Sequence, residues 1–317
     1  MPDHLEGASN HGADKPEQSG GRCAPVKLDL VYNPASGRFR QARLEALASA
    51  LSARGFASRL VATRSDCVEL SADAQLVCVY GGDGTLRQVV EALGERVEEV
   101  ALCICPSGTI NLVAREIGYR SDPGLFAAQL GEAWARGPAC WLRSPLVTCA
   151  GVPVLACLSL GPDSAAVAAV SPVLKARIGR LAYLAAAGGL LWRWPRRRFA
   201  VRAELADGSW LEEQVEAAFV ARGKFYAGPF TLSPRARLDS ALIELVVMPR
   251  ACRWRTAAFA LAIMLGLPVE RLGLARRHSV RWLEIAGEGL PLQIDGDTIA
   301  ARSLRVAQSG LTARFCA

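Results

Sequence analysis

Three short stretches of this 317-residue chain combine polar side chains with glycines in a way that could do chemistry. They are Asn33-Pro34-Ala35-Ser36-Gly37, Gly81-Gly82-Asp83-Gly84-Thr85 and Pro106-Ser107-Gly108-Thr109-Ile110-Asn111. Glycines in the middle stretch let the backbone approach a bulky anion without Cβ clashes. Asp83 is the odd member, because a carboxylate beside a phosphate is repulsive. A cation or a proton-bearing hydroxyl between them removes the repulsion, and phosphoryl transfer supplies both. The alternative is a plain glycine turn joining a strand to a helix, since a short glycine motif is weak evidence by itself.

The elements that must position these turns can be read from hydrophobic periodicity. Leu76-Val77-Cys78-Val79-Tyr80 is a buried strand, and Leu86, Val89, Val90 and Leu93 then repeat with helical spacing. The glycine turn thus lies at a strand's carboxyl end and a helix's amino end, where free N–H groups and the helix dipole favour phosphate. Val26–Tyr32 and Val100–Cys105 read as strands ending at the other two turns, and Ser58–Thr63 as a further short strand. Helices are expected with Leu44, Leu47 and Leu51 on one face, over about 66–72, and from Asn111 to Ile117. Alternating strands and helices imply a parallel sheet with right-handed crossovers. Its strands point their carboxyl ends to one edge, so all three turns can line one crevice.

Beyond about residue 140 the pattern becomes short strands: 145–150, 153–160, 199–206, 215–222, 242–248, 280–286, 291–295 and 304–308. A helical segment over roughly 173–192 interrupts them. The predicted organisation is a tail over 1–24, an α/β nucleotide-binding domain over 25–140 and a β-rich sandwich domain over 141–317. The boundary falls near Gly137-Pro138.

The formal net charge is +7. The polar tail carries Lys15 and Arg22 against Asp3, Glu6, Asp14 and Glu17, so the body carries +9. A basic body fits an anionic partner. The tail has no apolar core of a signal peptide. The 10 cysteines form no CxxC pair, and most lie in apolar runs, where a thiol behaves as a small hydrophobe. A reduced, cytoplasmic location follows, without metal or disulfide roles. The three histidines, His4, His11 and His278, are too scattered for a metal site. The charge-free stretch between Arg143 and Asp163 is broken by prolines and glycines and reads as two strands joined at Ala150-Gly151. Thr256–Val269 is too short to cross a bilayer. It reads as core or as a lipid-chain cleft.

The ordered set of turns resembles the nucleotide-binding half of the diacylglycerol kinase and sphingosine kinase superfamily, in its bacterial soluble branch. Ser159-Leu160-Gly161-Pro162-Asp163, Arg180–Leu184, Tyr226–Phe230 and Gln293-Ile294-Asp295-Gly296-Asp297 resemble successive landmarks of that superfamily's second domain. The resemblance implies a Rossmann-like or phosphofructokinase-like first domain. It also implies transfer of the γ-phosphoryl group of ATP, with Mg²⁺, to a lipid hydroxyl such as that of diacylglycerol. By matched position Thr63, the turn Gly81, Gly82, Asp83, Gly84, Thr85, Leu86 and Arg87, and Ser107, Gly108, Thr109 and Asn111 would meet ATP. Asn33, Ser36 and Gly37 would lie near the phosphates, and Asp83 would help to hold Mg²⁺. Asp295-Gly296-Asp297 matches the segment supplying the general base, with Asp295 favoured over Asp297. From its residues alone that segment is a β-turn.

Three departures stand out. Asp297 replaces the usual Glu, setting the carboxylate about one methylene back. Ser240-Ala241 stands where many members carry an Asp-Gly pair of a secondary Mg²⁺ site, so that site is not carried over. Leu112 follows Asn111 where Asp is frequent. The basic cluster Trp192–Phe199, with Arg193 and Arg196–Arg198, could contact an anionic membrane at the inner face, or simply complement a helix end. No nucleic-acid motif is present. A sphingoid-, ceramide- or phosphatidylglycerol-directed kinase, an NAD-type kinase and a catalytically weakened lipid-binding regulator are the alternatives.

Overall fold

The computed structural model describes residues 24–64, 67–169 and 197–317. The tail, the segment expected to be helical over 173–192, and Trp192–Arg196 of the basic cluster lie outside the described residues. Strands β1 (Val26–Tyr32), β2 (Phe56–Ala62), β3 (Leu76–Gly81) and β4 (Ala101–Pro106) pair in parallel in the order β2-β1-β3-β4. Every residue of β3 is buried, as befits a parallel strand covered on both faces. Helix α1 (Gln41–Ser52) buries Leu44, Leu47 and Leu51. Helix α2 (Asp83–Leu93) buries Leu86, Val89, Val90 and Leu93, the stripe read from the sequence. Helix α3 (Leu112–Ile117) stops at Gly118, whose φ of 87° is left-handed.

Two local expectations fail. Residues 67–72 form loop and turn instead of helix, because the Ser71 N–H is drawn to the buried Asp29 carboxylate at 2.7 Å. Helix α4 (Pro123–Arg136) was not anticipated, although its signals are present. The Asp122 side chain accepts from the Leu125 N–H at 2.9 Å, Pro123 starts the helix, and Phe126, Ala127, Leu130 and Ala133 form its buried stripe.

The remaining residues build a β-rich domain. Its elements are β5 (Leu142–Cys149), β6 (Val152–Val154), β7 (Cys157–Leu160), α5 (Pro162–Ala169), β8 (Phe199–Leu205), β9 (Trp210–Val215) and β10 (Ala217–Ala221). They continue with β11 (Phe225–Tyr226), β12 (Phe230–Thr231), β13 (Ile243–Met248), α6 (Arg253–Met264), β14 (Arg276–Ile294) and β15 (Asp297–Phe315). The stretch expected as two strands is three, with β5 and β6 joined at Ala150-Gly151, both at positive φ. Strands expected at 280–286 and 291–295 are one strand, β14, and 304–308 is the middle of β15. Gly287, Gly289 and Pro291 suggest a break, but the ladder absorbs them as an irregularity between Ala286 and Leu290. β14 meets β13 near its start and β7 at its end, so the path β13-β10-β7-β14 closes on itself.

Alternation along β10 and β13 sends Ala218, Val220, Leu245 and Val247 into one core. Ala217, Phe219, Val246 and Met248 point to a second core under α6. The chain then returns to its beginning. Arg314 and Phe315 of β15 pair in parallel with Ala101 and Leu102 of β4, and the Cys316 N–H donates to the Leu102 carbonyl at 2.8 Å. The two domains therefore share a continuous hydrogen-bonded sheet, which fixes the hairpin β14–β15 against the first domain.

Candidate active site

In the order β2-β1-β3-β4 the connections leave β1 and β3 in opposite directions, and a crevice opens at the carboxyl ends between such strands. Asn33–Gly37 and Gly81–Thr85 flank that crevice, with Thr63 at the end of β2 and Pro106–Asn111 at the end of β4. Sequence reasoning thus brought these turns to one edge correctly. The first turn is self-bonded: the Asn33 side chain accepts from the Ala35 N–H at 2.9 Å, and the Ser36 N–H donates to the Asn33 carbonyl at 3.2 Å. Thr63 is buried, its N–H donating to the Tyr32 carbonyl at 2.8 Å.

The second and third turns interlock. The N–H groups of Ser107 and Gly108 both donate to the Gly81 carbonyl, at 3.0 and 3.2 Å. A Cβ on Gly108 would lie 2.5 Å from Asn111 Oδ1 and 2.9 Å from the Gly82 Cα. Only glycine permits this approach. Asn111 adopts φ 52°, and its Nδ2 donates to the Gly108 carbonyl at 3.0 Å. Its Oδ1 is buried and has no partner, a polar atom left open beside Gly82 and Gly108. Leu86 is fully buried in the core and its N–H is bonded to the Gly82 carbonyl at 3.1 Å, so it positions the turn and offers a ligand nothing.

Asp83 is 7% exposed. Its two carboxylate oxygens accept from the N–H groups of Leu112 at 2.7 Å and Val113 at 3.0 Å, which caps α3 and ties the second turn to the third. Burial raises its pKa and these N–H groups pull it back down.

The hairpin β14–β15 turns at Asp295-Gly296, with Ile294 opposite Asp297 and φ values of 49° and 93°. Asp-Gly with two left-handed residues is the favoured two-residue hairpin turn. Asp295 faces inward. Its Oδ1 accepts from the N–H groups of Ala156 and Cys157, each at 2.9 Å, and its Oδ2 from Leu155 at 2.9 Å. Burial raises its pKa to about 6 against the pull of these N–H groups, with the Asp83 charge adding to the rise. Asp297 faces the other way, toward α2, and is 51% exposed. A Cβ on Gly84 would be 3.4 Å from its Oδ2. Arg87, buried except for 11% of its side chain, donates to the Asp297 carboxylate and to the Ile294 carbonyl at 2.9 Å. The sequence places Arg87 only in the nucleotide turn and carries no local sign of this cross-domain clamp.

Behind the hairpin lies a polar cluster, also unforeseen. Ser159 and Tyr226 donate to the Asp163 carboxylate, and Ser159 Oγ is 2.9 Å from Gln293 Oε1. Burial raises the Asp163 pKa, and those two hydroxyls oppose the rise.

No group of three or more His, Cys, Asp or Glu able to hold a metal occurs among the described residues. A Mg²⁺ here would therefore ride on nucleotide phosphates with one or two carboxylates. The 237–242 loop does not fit a cation. The Arg222 guanidinium is buried there and donates to the carbonyls of Pro145 at 2.7 Å, Leu238 at 3.1 Å, Ser240 at 3.2 Å and Leu242 at 3.5 Å. Asp239 is turned to Arg237 at 2.8 Å. A side-chain cation fills the space that a metal would need.

Comparison with known proteins adds to this geometry. Residues 27–137 match the family model described as diacylglycerol kinase catalytic domain. The chain is 32% identical to "Probable lipid kinase YegS-like" of Pseudomonas aeruginosa (strain UCBPP-PA14), over 76% of each chain. It is 29% identical to the protein of the same description from Stenotrophomonas maltophilia (strain K279a), over 73% of this chain and 75% of that one. The solved structure of "a putative diacylglycerol kinase" from Bacillus anthracis str. Sterne has the same fold, with TM-score 0.71 and 19% identity, over 92% of this chain and 97% of that one.

Proposed function

Since the chain belongs to the YegS-like lipid kinases with a diacylglycerol kinase catalytic domain, we propose that it transfers the γ-phosphoryl group of ATP to the hydroxyl of a lipid of the diacylglycerol type. The observation that carries this reading is the placement of Asp297, which comes from the second domain and lies over Gly84 in the grip of Arg87.

Gly108 lets the third turn close on Gly82, and the amino end of α2 favours the charge of a phosphate. Asn111 Oδ1 offers an acceptor to a donor group of the nucleotide. Thr63, Asn33, Ser36, Gly37, Thr85, Ser107 and Thr109 border the same crevice. Mg²⁺, when bound with the nucleotide, would neutralise charge on the transferring phosphoryl group. Asp83 holds the two turns in register, its oxygens being engaged by α3, and we assign it no metal contact. Asp295 anchors the hairpin. Asp297 takes the proton: the acceptor oxygen bonds to the γ-phosphorus, the bond from phosphorus to the ADP oxygen breaks, and the hydroxyl proton passes to the carboxylate. Arg87 keeps that carboxylate aimed. The enzyme would act at the inner face of the membrane, where ATP and lipid meet.

Asp297→Asn and Asp297→Glu, assayed with labelled ATP and diacylglycerol in mixed micelles, test the assignment. The amide should lower kcat at least about a hundredfold with ATP affinity kept, and the glutamate should retain activity. An amide variant within threefold or so of the parent would remove Asp297 from the proton-accepting role.

A further inference from the structure

Helix α6 and the loop after it, residues 250–272, present an apolar face to solvent. Trp254, Leu261 and Leu265 lie seven and four residues apart, with Met264 beside them, on the side opposite the buried Phe259, Ala262 and Ile263. Trp254 is 78% and Leu265 63% exposed, and Leu267 and Leu272 extend the face. A helix of this spacing whose apolar stripe points outward is waiting for an apolar neighbour. Its charge tells which. Residues 250–272 hold four arginines, Arg250, Arg253, Arg255 and Arg271, against one acid, Glu270, a net of +3. That acid is already paired with Arg277.

We infer that α6 and its following loop dock the enzyme on an anionic lipid bilayer, with Trp254, Leu261, Met264 and Leu265 in the headgroup–acyl boundary and the exposed Arg250 and Arg271 on lipid phosphates. Tryptophan, apolar with one polar N–H, suits that depth. A second copy of the chain is a poorer occupant, because a two-fold contact would set +3 against +3. The face is also tied to the catalytic hairpin. Phe259 stacks on Phe219 at 5.3 Å between centroids, Phe219 meets Tyr226 edge-on at 5.6 Å, and Tyr226 donates to Asp163 in the cluster beside Gln293. Gln293 is two residues from Asp295, so a bilayer under α6 has a fixed position relative to the turn that meets the acceptor.

The inference takes its motive from the lipid acceptor, but its test needs no turnover and so stands or falls separately. The full chain is sedimented with phosphatidylcholine vesicles, with and without phosphatidylglycerol. The parent should partition onto the phosphatidylglycerol vesicles, less so as salt rises. Arg250→Gln with Arg271→Gln should weaken partition about twenty-five-fold, from roughly fivefold per arginine. Leu261→Ser with Leu265→Ser should weaken it at least about tenfold. Both pairs should keep the parent's melting midpoint, since the altered side chains are exposed. Unchanged partition in either pair, or a parent indifferent to phosphatidylglycerol, overturns the inference. So does a parent dimer in solution that the serine pair dissolves, which would give the face to a second copy.

Discussion

Replacing Arg222 by methionine should destabilise the protein without touching the crevice. The buried guanidinium donates to four carbonyls, the two shortest bonds being 2.7 Å to Pro145 and 3.1 Å to Leu238. A hydrogen bond from a charged donor contributes about 1.5–3 kcal/mol, so these two account for roughly 3–6 kcal/mol. Losing the desolvation cost of the cation offsets part of that, and a net loss of about 4 kcal/mol is expected. Burial lowers the Arg222 pKa to about 10 and Asp239 opposes the fall, so the cation persists at neutral pH. The assay is urea unfolding followed by circular dichroism, for parent, Arg222→Met and Arg222→Lys, each with and without millimolar Mg²⁺. Arg222→Lys should fall between the other two, because an ammonium has three donors but no planar fork. The parent's midpoint should ignore Mg²⁺ when no nucleotide is present. A methionine variant within about 1 kcal/mol of the parent would refute the reasoning. A parent midpoint that climbs with Mg²⁺ would refute it as well, by showing that the loop takes a metal.

Two other perturbations follow from the site. Gly108→Ala places a Cβ 2.5 Å from Asn111 Oδ1 and 2.9 Å from the Gly82 Cα. It should cost about 1–3 kcal/mol of stability and weaken ATP binding more than tenfold by calorimetry; binding equal to the parent's would mean that the interlocked turns do not form the nucleotide wall. Asp295, with its pKa raised to about 6 in the fold against about 3.9 unfolded, favours the folded state most when protonated. Its contribution is full below the unfolded value and is lost as pH rises through about 6, amounting to roughly 3 kcal/mol. Comparing unfolding free energies at several pH values between 4 and 7, the parent should lose most of that, about 2 kcal/mol, relative to Asp295→Asn. Parallel curves would show that Asp295 does not titrate in this way.

What could be read from the sequence was local or periodic. The apolar runs placed β1, β3 and β4, the stripe from Leu86 to Leu93 placed α2, and parallel order then brought three turns to one edge. Asp295-Gly296 was legible as a turn because Asp-Gly tolerates two left-handed residues. Helix α4 carried its own signals in Asp122-Pro123 and the stripe from Phe126 to Ala133, and reading on from Gly118 would have found it. Other features depend on residues distant in the chain. Nothing near Arg222 announces that Pro145 and the 237–242 loop will aim carbonyls at it. The Arg87 clamp on Asp297 spans 210 residues. The resemblance favoured Asp295 over Asp297 for the proton, although nothing in their spacing distinguishes the two. The distinction lies in burial: the N–H groups of Leu155, Ala156 and Cys157 engage one, and the other stays half exposed beside Arg87.

The central claim is phosphoryl transfer from ATP to a lipid hydroxyl across this crevice. The most direct test incubates the full chain with labelled ATP, Mg²⁺ and a panel of diacylglycerol, ceramide, sphingoid base, phosphatidylglycerol and NAD. The account predicts label in a lipid product, dependent on Mg²⁺ and lost in Asp297→Asn. Label in NAD alone, or ATP binding with no product from any acceptor, would contradict it.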